Sequence, residues 1–136
     1  MSKLTAFLNP VSVNDEQDVV VSRRFRGEDG QPVPFRVRAV SQSENDRITR
    51  LCRRSAKVGG AAQEYLDTVD YHRRLVLAGT VEPDFSSREL CQAYGTMDPL
   101  EVPGKMLYSG EYRKLVNAIL EVSGFTGGDV EAEAKN

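Results

Sequence analysis

The sequence predicts an α+β domain, predominantly α, in which a β-hairpin over about residues 19–40 packs on a bundle of four to five helices. Three observations carry this expectation. Two runs rich in β-branched residues flank an Asp29-Gly30 turn, a short-range hairpin signal. At Ser41 the apolar spacing changes from two-residue alternation to the i, i+3, i+4 pattern of a helix face. Beyond it, Ser, Asp, Gly and Pro recur at intervals that start and stop helices.

Taken in order, residues 1–18 mix Asn9-Pro10, Ser12 and a short acidic run, and read as a flexible N-terminal arm. Leu4, Phe7 and Leu8 form an apolar cluster within it, suited to docking on the body or on a partner. A single globular domain is expected over 19–125, with the hairpin at 19–40 and the helical part at 42–125. In the second hairpin run Phe35, Val37 and Ala39 share one face, and Arg36 and Arg38 the other. In the first run Val19, Val21 and Phe25 share a face that Arg23 interrupts.

Ser41 and Glu44 have capping-box spacing, and Ile48, Leu51 and Cys52 form the apolar face of the first long helix. Gly59-Gly60 reads as its stop. A second helix over about 62–78 carries a stripe of Tyr65, Leu66, Val69, His72, Val76 and Leu77, closed by Gly79. Ser86 with Glu89 opens a short helix ending at Gly95. Asp98-Pro99 reads as an N-cap followed by a first-turn proline. Ser109 caps a last helix with Tyr112, Leu115, Val116, Ile119 and Val122, stopped by Gly124. The remaining residues, 126–136, read as a disordered acidic tail.

The 136 residues carry a formal charge of −2, but the charge is unevenly placed. Residues 19–57 hold nine arginines and Lys57 against four carboxylates, a net of +6, and every other stretch is negative. Arg23, Arg24, Arg26, Arg36 and Arg38 decorate the hairpin, and Arg47, Arg50, Arg53 and Arg54 continue the basic run. Such a face suits an acidic partner, the acidic remainder of the chain, or phosphates. No aromatic side chains interleave with the arginines for base stacking beyond Phe25 and Phe35, which face inward. Protein binding is therefore ranked first, and a small nucleic-acid-binding adaptor using the Arg-rich hairpin is the alternative.

Composition removes most chemistry. One histidine and two cysteines cannot build a disulfide framework or a four-thiolate zinc site, and His72, Cys52 and Cys91 lie far apart in sequence. His72 reads as a core histidine, because Asp67 and Asp70 sit at helical offsets that do not face it. No phosphate loop or nucleophile elbow is present. The expectation is a non-catalytic protein without cofactor or metal. No apolar run reaches membrane-spanning length and no signal peptide is evident, which predicts a cytoplasmic protein with reduced cysteines.

The order of short motifs resembles the XkdN-like phage tail assembly chaperones. The resemblance begins with Val21-Ser22-Arg23-Arg24-Phe25, Asp29-Gly30-Gln31-Pro32-Val33-Pro34-Phe35 and Arg38-Ala39-Val40. It continues through Ser43-Glu44-Asn45, Val81-Glu82-Pro83-Asp84-Phe85, Glu89-Leu90 and Tyr94-Gly95. Lys105-Met106-Leu107 and Gly110-Glu111-Tyr112 complete it, so that it covers roughly residues 4–125. Tyr108-Ser109 stands where the family pattern has Leu-Pro, and Pro99 and Pro103 interrupt what the family would make a smoother helix.

The resemblance implies a phage or prophage protein acting in the host cytoplasm and absent from the finished tail. Its implied client is the tape measure protein, held while tail tube protein is recruited around it; self-association is a further expectation. Physical chemistry adds that a client of amphipathic helices needs apolar grooves and complementary charge. The candidate grooves are the arm with Leu4, Phe7 and Leu8, the ribbon edge, and the exposed side of the helix over 65–77.

Overall fold

The computed structural model describes residues 3–11 and 15–125. Its centre is the strand β2 (Phe35–Arg38), flanked by β1 (Glu16–Val19) and β5 (Thr80–Glu82) in a three-stranded antiparallel sheet. Alternation along β2 works as the sequence implies: Phe35 and Val37 are buried, while Arg36 and Arg38 face outward to carboxylates. Helices α2 (Gln42–Leu51), α3 (Thr68–Gly79) and α6 (Ser109–Val122) supply most of the remaining core. Shorter pieces complete the body: α4 (Arg88–Ala93), a 3-10 turn (Pro99–Glu101) and α5 (Val102–Met106). An outlying helix, α1 (Lys3–Leu8), buries none of its residues.

The expected hairpin on a bundle of four to five helices is overturned. Among the described residues there are six α-helices and two small sheets, and the second sheet lies where helix was expected. Strands β3 (Arg53–Val58) and β4 (Ala61–Leu66) pair in register from Arg53–Leu66 to Val58–Ala61. Gly59 and Gly60 join them with φ of 62° and 85°. Two consecutive left-handed residues make the tight turn whose twist matches a hairpin. Ala, Gln, Glu and Lys favour helix on both sides, and the turn outweighs that propensity.

The first strand also differs from expectation. The Asp29-Gly30 turn forms, with Gly30 at φ 78° and its N–H on Gly27 O. The tip zips only as far as Val33 N–H on Phe25 O and the Arg26–Pro32 bridge. Continuing that register would put Arg23 opposite Phe35, on the buried face. Residues are looped out instead, so Val19 lies opposite Phe35, and Asp18 and Glu16 lie opposite Arg36 and Arg38. Opposite charges directly across a ladder are favourable. Strand therefore begins at Glu16, inside the stretch read as arm, and the expected tail over 126–136 lies outside the described residues.

Helix ends follow the sequence closely. Ser41 and Glu44 form the reciprocal capping box of α2, with Ser41 Oγ accepting from the Glu44 N–H at 3.2 Å. Asp98 caps the 3-10 turn through the Leu100 N–H at 3.0 Å. Gly95 and Gly124 stop α4 and α6 at positive φ. Small shifts occur elsewhere: Ser87, not Ser86, caps α4, and Asp67 opens α3 by accepting from the Asp70 N–H. Tyr108, not Ser109, precedes α6, where the Glu111 carboxylate accepts the Tyr108 N–H at 2.9 Å.

Helix α3 is held against α6 at a point where no side chain fits. A Cβ placed on Gly79 would lie 2.5 Å from Ile119 Cγ2. Leu75 and Val76 on α3 and Leu115, Ile119 and Leu120 on α6 are all almost wholly buried in the same core. A second long-range tie is electrostatic. Arg24 forms a two-pronged ion pair with Glu111, donates to Met106 O at 3.0 Å and lies over the Tyr108 ring at 4.2 Å. It joins two motifs 87 residues apart. No helix among the described residues is long and apolar enough to cross a membrane.

Two predictions follow from these ties. Gly79→Ala is expected to lower unfolding stability by about 1–3 kcal/mol through overpacking, and adding Ile119→Ala, which removes the Cγ2, Cγ1 and Cδ1 atoms that the new methyl group would strike, to cost less in the double variant than the two single effects summed. Urea denaturation of the two variants and of the double variant checks this. The Arg38 guanidinium holds Glu44, and the Arg24 guanidinium holds Glu111, at a pKa of about 2 against an ordinary 4.5. A carboxylate depressed by folding stabilises fully above its unfolded pKa and loses that contribution as pH falls toward its folded value. Stability should therefore decline between pH 4.5 and 2, and Glu111→Gln should flatten that decline in urea midpoints.

Candidate functional site

Three elements enclose an open groove of about 600 Å³. Asp67, by capping α3, fixes the phase in which Val69, His72 and Arg73 point to the same side, three and four residues apart. Helix α6 contributes Ser109, Tyr112, Arg113 and Val116, again one helical stripe. Leu100, Glu101, Gly104, Lys105 and Leu107, from the 3-10 turn through the end of α5, close the third side. Pro99 and Pro103 stand in the first turns of the 3-10 turn and of α5, where the missing N–H is tolerated, and these two short elements bring Leu100 and Leu107 to the groove.

The lining is amphipathic. Val116 and Leu107 are buried at its base, Leu100 and Tyr112 are half-buried, and Val69 is 60% exposed at the lip. Arg73, Lys105 and Arg113 bring three permanent cations, and none has an ion pair among the described residues. Glu101 is the single carboxylate in the lining, and its Oε2 accepts from the Thr96 hydroxyl at 2.7 Å. Burial raises the Tyr112 phenol pKa, and nearby Arg73 opposes the rise. The arrangement suits an amphipathic helix whose apolar stripe fills the groove and whose acidic flank meets the cations.

Neither the arginines singled out in the sequence nor Leu4, Phe7 and Leu8 line this groove, whereas the exposed side of the helix over 65–77, a third candidate, does so through Val69, His72 and Arg73. Arg24 is held by Glu111; Arg36 by Asp18 at 3.1 Å and Glu16 at 3.7 Å; Arg38 by Glu44, with a further bond to Ala39 O at 3.0 Å. Arg26 locks the tip turn by donating to Arg23 O and Gly30 O. Arg23, Arg47 and Arg50 are exposed, with no ion pair among the described residues. Leu4, Phe7 and Leu8 recur along α1 at i, i+3, i+4, exposed by 61%, 81% and 68%.

The groove's own signals are partly legible. His72, expected in the core, is half-buried at the groove wall, and Tyr71 and Leu75 take the core positions. That change of phase follows from the helix starting at Thr68 rather than near Ala62. Cys52 is a buried free thiol whose pKa rises to about 11, first through burial and then through Asp70. Cys91, also buried, donates to Phe85 O.

Comparison with known proteins supports the family resemblance and the fold. A crystal structure of the protein YqbN matches with a TM-score of 0.75 at 29% identity, covering 93% of this chain and 99% of that one. In sequence, YqbN of Bacillus subtilis is 34% identical over 127 residues, 90% of this chain and 85% of its own. The phage-like element PBSX protein XkdN of the same organism is 32% identical over 126 residues, with the same coverage of each chain. The model of the phage XkdN-like tail assembly chaperone proteins matches residues 4–135. By that match, over nearly its whole length, the chain belongs to the XkdN-like family of phage tail assembly chaperones.

Proposed function

We propose that this chain acts as a non-catalytic chaperone of the tape measure protein, holding it in the host cytoplasm while tail tube protein is recruited, and that it is absent from the finished tail. The single observation that carries the binding mode is the groove between α3, α5 and α6. Its apolar base and three cations with no ion pair among the described residues are what an acidic amphipathic helix needs. A long client built of such helices would otherwise expose its apolar stripes to one another. An open groove of this size gives capture by reversible contacts, and release requires no change in the core.

The nucleic-acid reading has less support, because Arg24, Arg36 and Arg38 already face carboxylates. Co-expression with the tape measure protein tests the proposal. The wild-type chain is expected to yield a soluble complex that weakens with added salt. Replacing Arg73→Glu and Arg113→Glu together should weaken it by about tenfold or more, since two favourable charge contacts become repulsive. An aggregated client despite a folded chaperone would overturn the chaperone role. A complex untouched by the double substitution would overturn the groove alone.

A further inference from the structure

The hairpin of β3 and β4 has the features of an assembly element. Every residue of β4 is exposed, and in β3 only Arg54 is half-buried. The ribbon meets the body at its base, where the Asp67 N–H donates to Cys52 O at 2.9 Å and Arg54 reaches Asp70 at 2.9 Å. Beyond that base its backbone makes no backbone hydrogen bond outside the ribbon among the described residues. A lone two-stranded ribbon is marginal in water, and both of its outer edges present unpaired N–H and C=O groups.

The two edges are not alike. β3 carries Arg53, Arg54 and Lys57, the kind of cationic guard that keeps an edge from pairing. β4 reads Ala-Ala-Gln-Glu-Tyr-Leu, with Glu64 its one charge. The two-glycine turn closes on the Val58–Ala61 pair, so alternation turns the backbones of Ala62, Glu64 and Leu66 outward on β4. That parity leaves few antiparallel registers for two copies related by a two-fold axis. Centring on Glu64 sets two carboxylates face to face. Centring on Tyr65 runs off the strand at Asp67. Centring on Gln63 sets the two amides against each other, Ala62 opposite the second copy's Glu64, and Ala61 opposite its Tyr65, with no like charges opposed. On β3, centring on Ser55 sets Arg53 opposite Lys57, and centring on Ala56 sets Ser55 opposite Lys57 but still gathers Arg53, Arg54 and Lys57 of both copies along one seam, where β4 brings only its two Glu64 side chains.

We propose that β4 is a self-association edge: two copies pair antiparallel through it, centred on Gln63, into a closed four-stranded sheet. The pairing is isologous and therefore stops at two. Val58, Ala61 and Tyr65 share one face of each ribbon, so pairing makes that apolar strip continuous across the dimer. This inference stands apart from the groove and from the identity of the client.

Sedimentation of the full-length chain up to about 0.5 mM tests it, a range chosen because so small an interface binds weakly. The wild type is expected to show a concentration-dependent monomer–dimer equilibrium. Ala62→Pro removes an outward N–H without touching the ribbon's own ladder, and should leave only monomer. Gln63→Lys alone and Gln63→Glu alone should each weaken the dimer about fivefold by opposing like charges, and an equimolar mixture should restore it. Matching far-UV spectra confirm that each variant stays folded. A wild type that remains monomeric, one that grows into open polymers, or dimers indifferent to these substitutions would each overturn the proposal.

Discussion

The close approach of α3 to α6 is the constraint on which the core and the groove both depend. Gly79 lies where a methyl group would strike Ile119, and the same crossing buries Leu75, Val76, Leu115, Ile119 and Leu120. Because protein interiors are packed with little slack, a shift at this crossing moves whole helices. Toward their other ends the same two helices form two walls of the groove, where Val69 and Arg73 face Tyr112 and Arg113. The crossing also feeds the sheet, since β5 follows Gly79 directly and pairs with β2.

Charge in this protein does two separate jobs. The arginine-rich stretch makes a near-neutral chain electrically uneven, yet the structure pairs much of that charge with the chain's own carboxylates. Arg36 and Arg38 set the register of β1 against β2, Arg24 ties the loop before β2 to α6, and Arg54 pins the base of the exposed ribbon. The groove cations that have no ion pair among the described residues, Arg73, Lys105 and Arg113, come from the acidic half of the sequence. A net count over a stretch of sequence therefore points away from the surface best suited to an acidic helix.

The sequence makes local signals legible where one residue decides the backbone. The Ser41–Glu44 box, the Asp98-Pro99 start, the Gly95 and Gly124 stops and the Asp29-Gly30 turn all act as read. What escapes is settled by competition between signals. Gly59-Gly60 ends a helix or turns a hairpin equally well by composition, and the helix-favouring residues beside it point the wrong way. The start of β1 depends on which residue opposes Phe35, a pairing across the sheet that alternation along one run cannot show. The phase of α3 depends on Asp67, and with it the assignment of Val69 and His72 to the groove rather than the core. The exposed side of that helix, read from its amphipathic spacing as a candidate groove, does line a groove through Val69, His72 and Arg73.

The proposed function makes the groove the surface that receives the client. Methyl NMR of the chain, titrated with a soluble helical segment of the tape measure protein, tests this. The methyl signals of Val69, Leu100, Leu107 and Val116 are expected to shift together and saturate. Shifts confined to Leu4 and Leu8 on α1, or to Val58 and Leu66 on the ribbon, with the groove methyls unmoved, would contradict it.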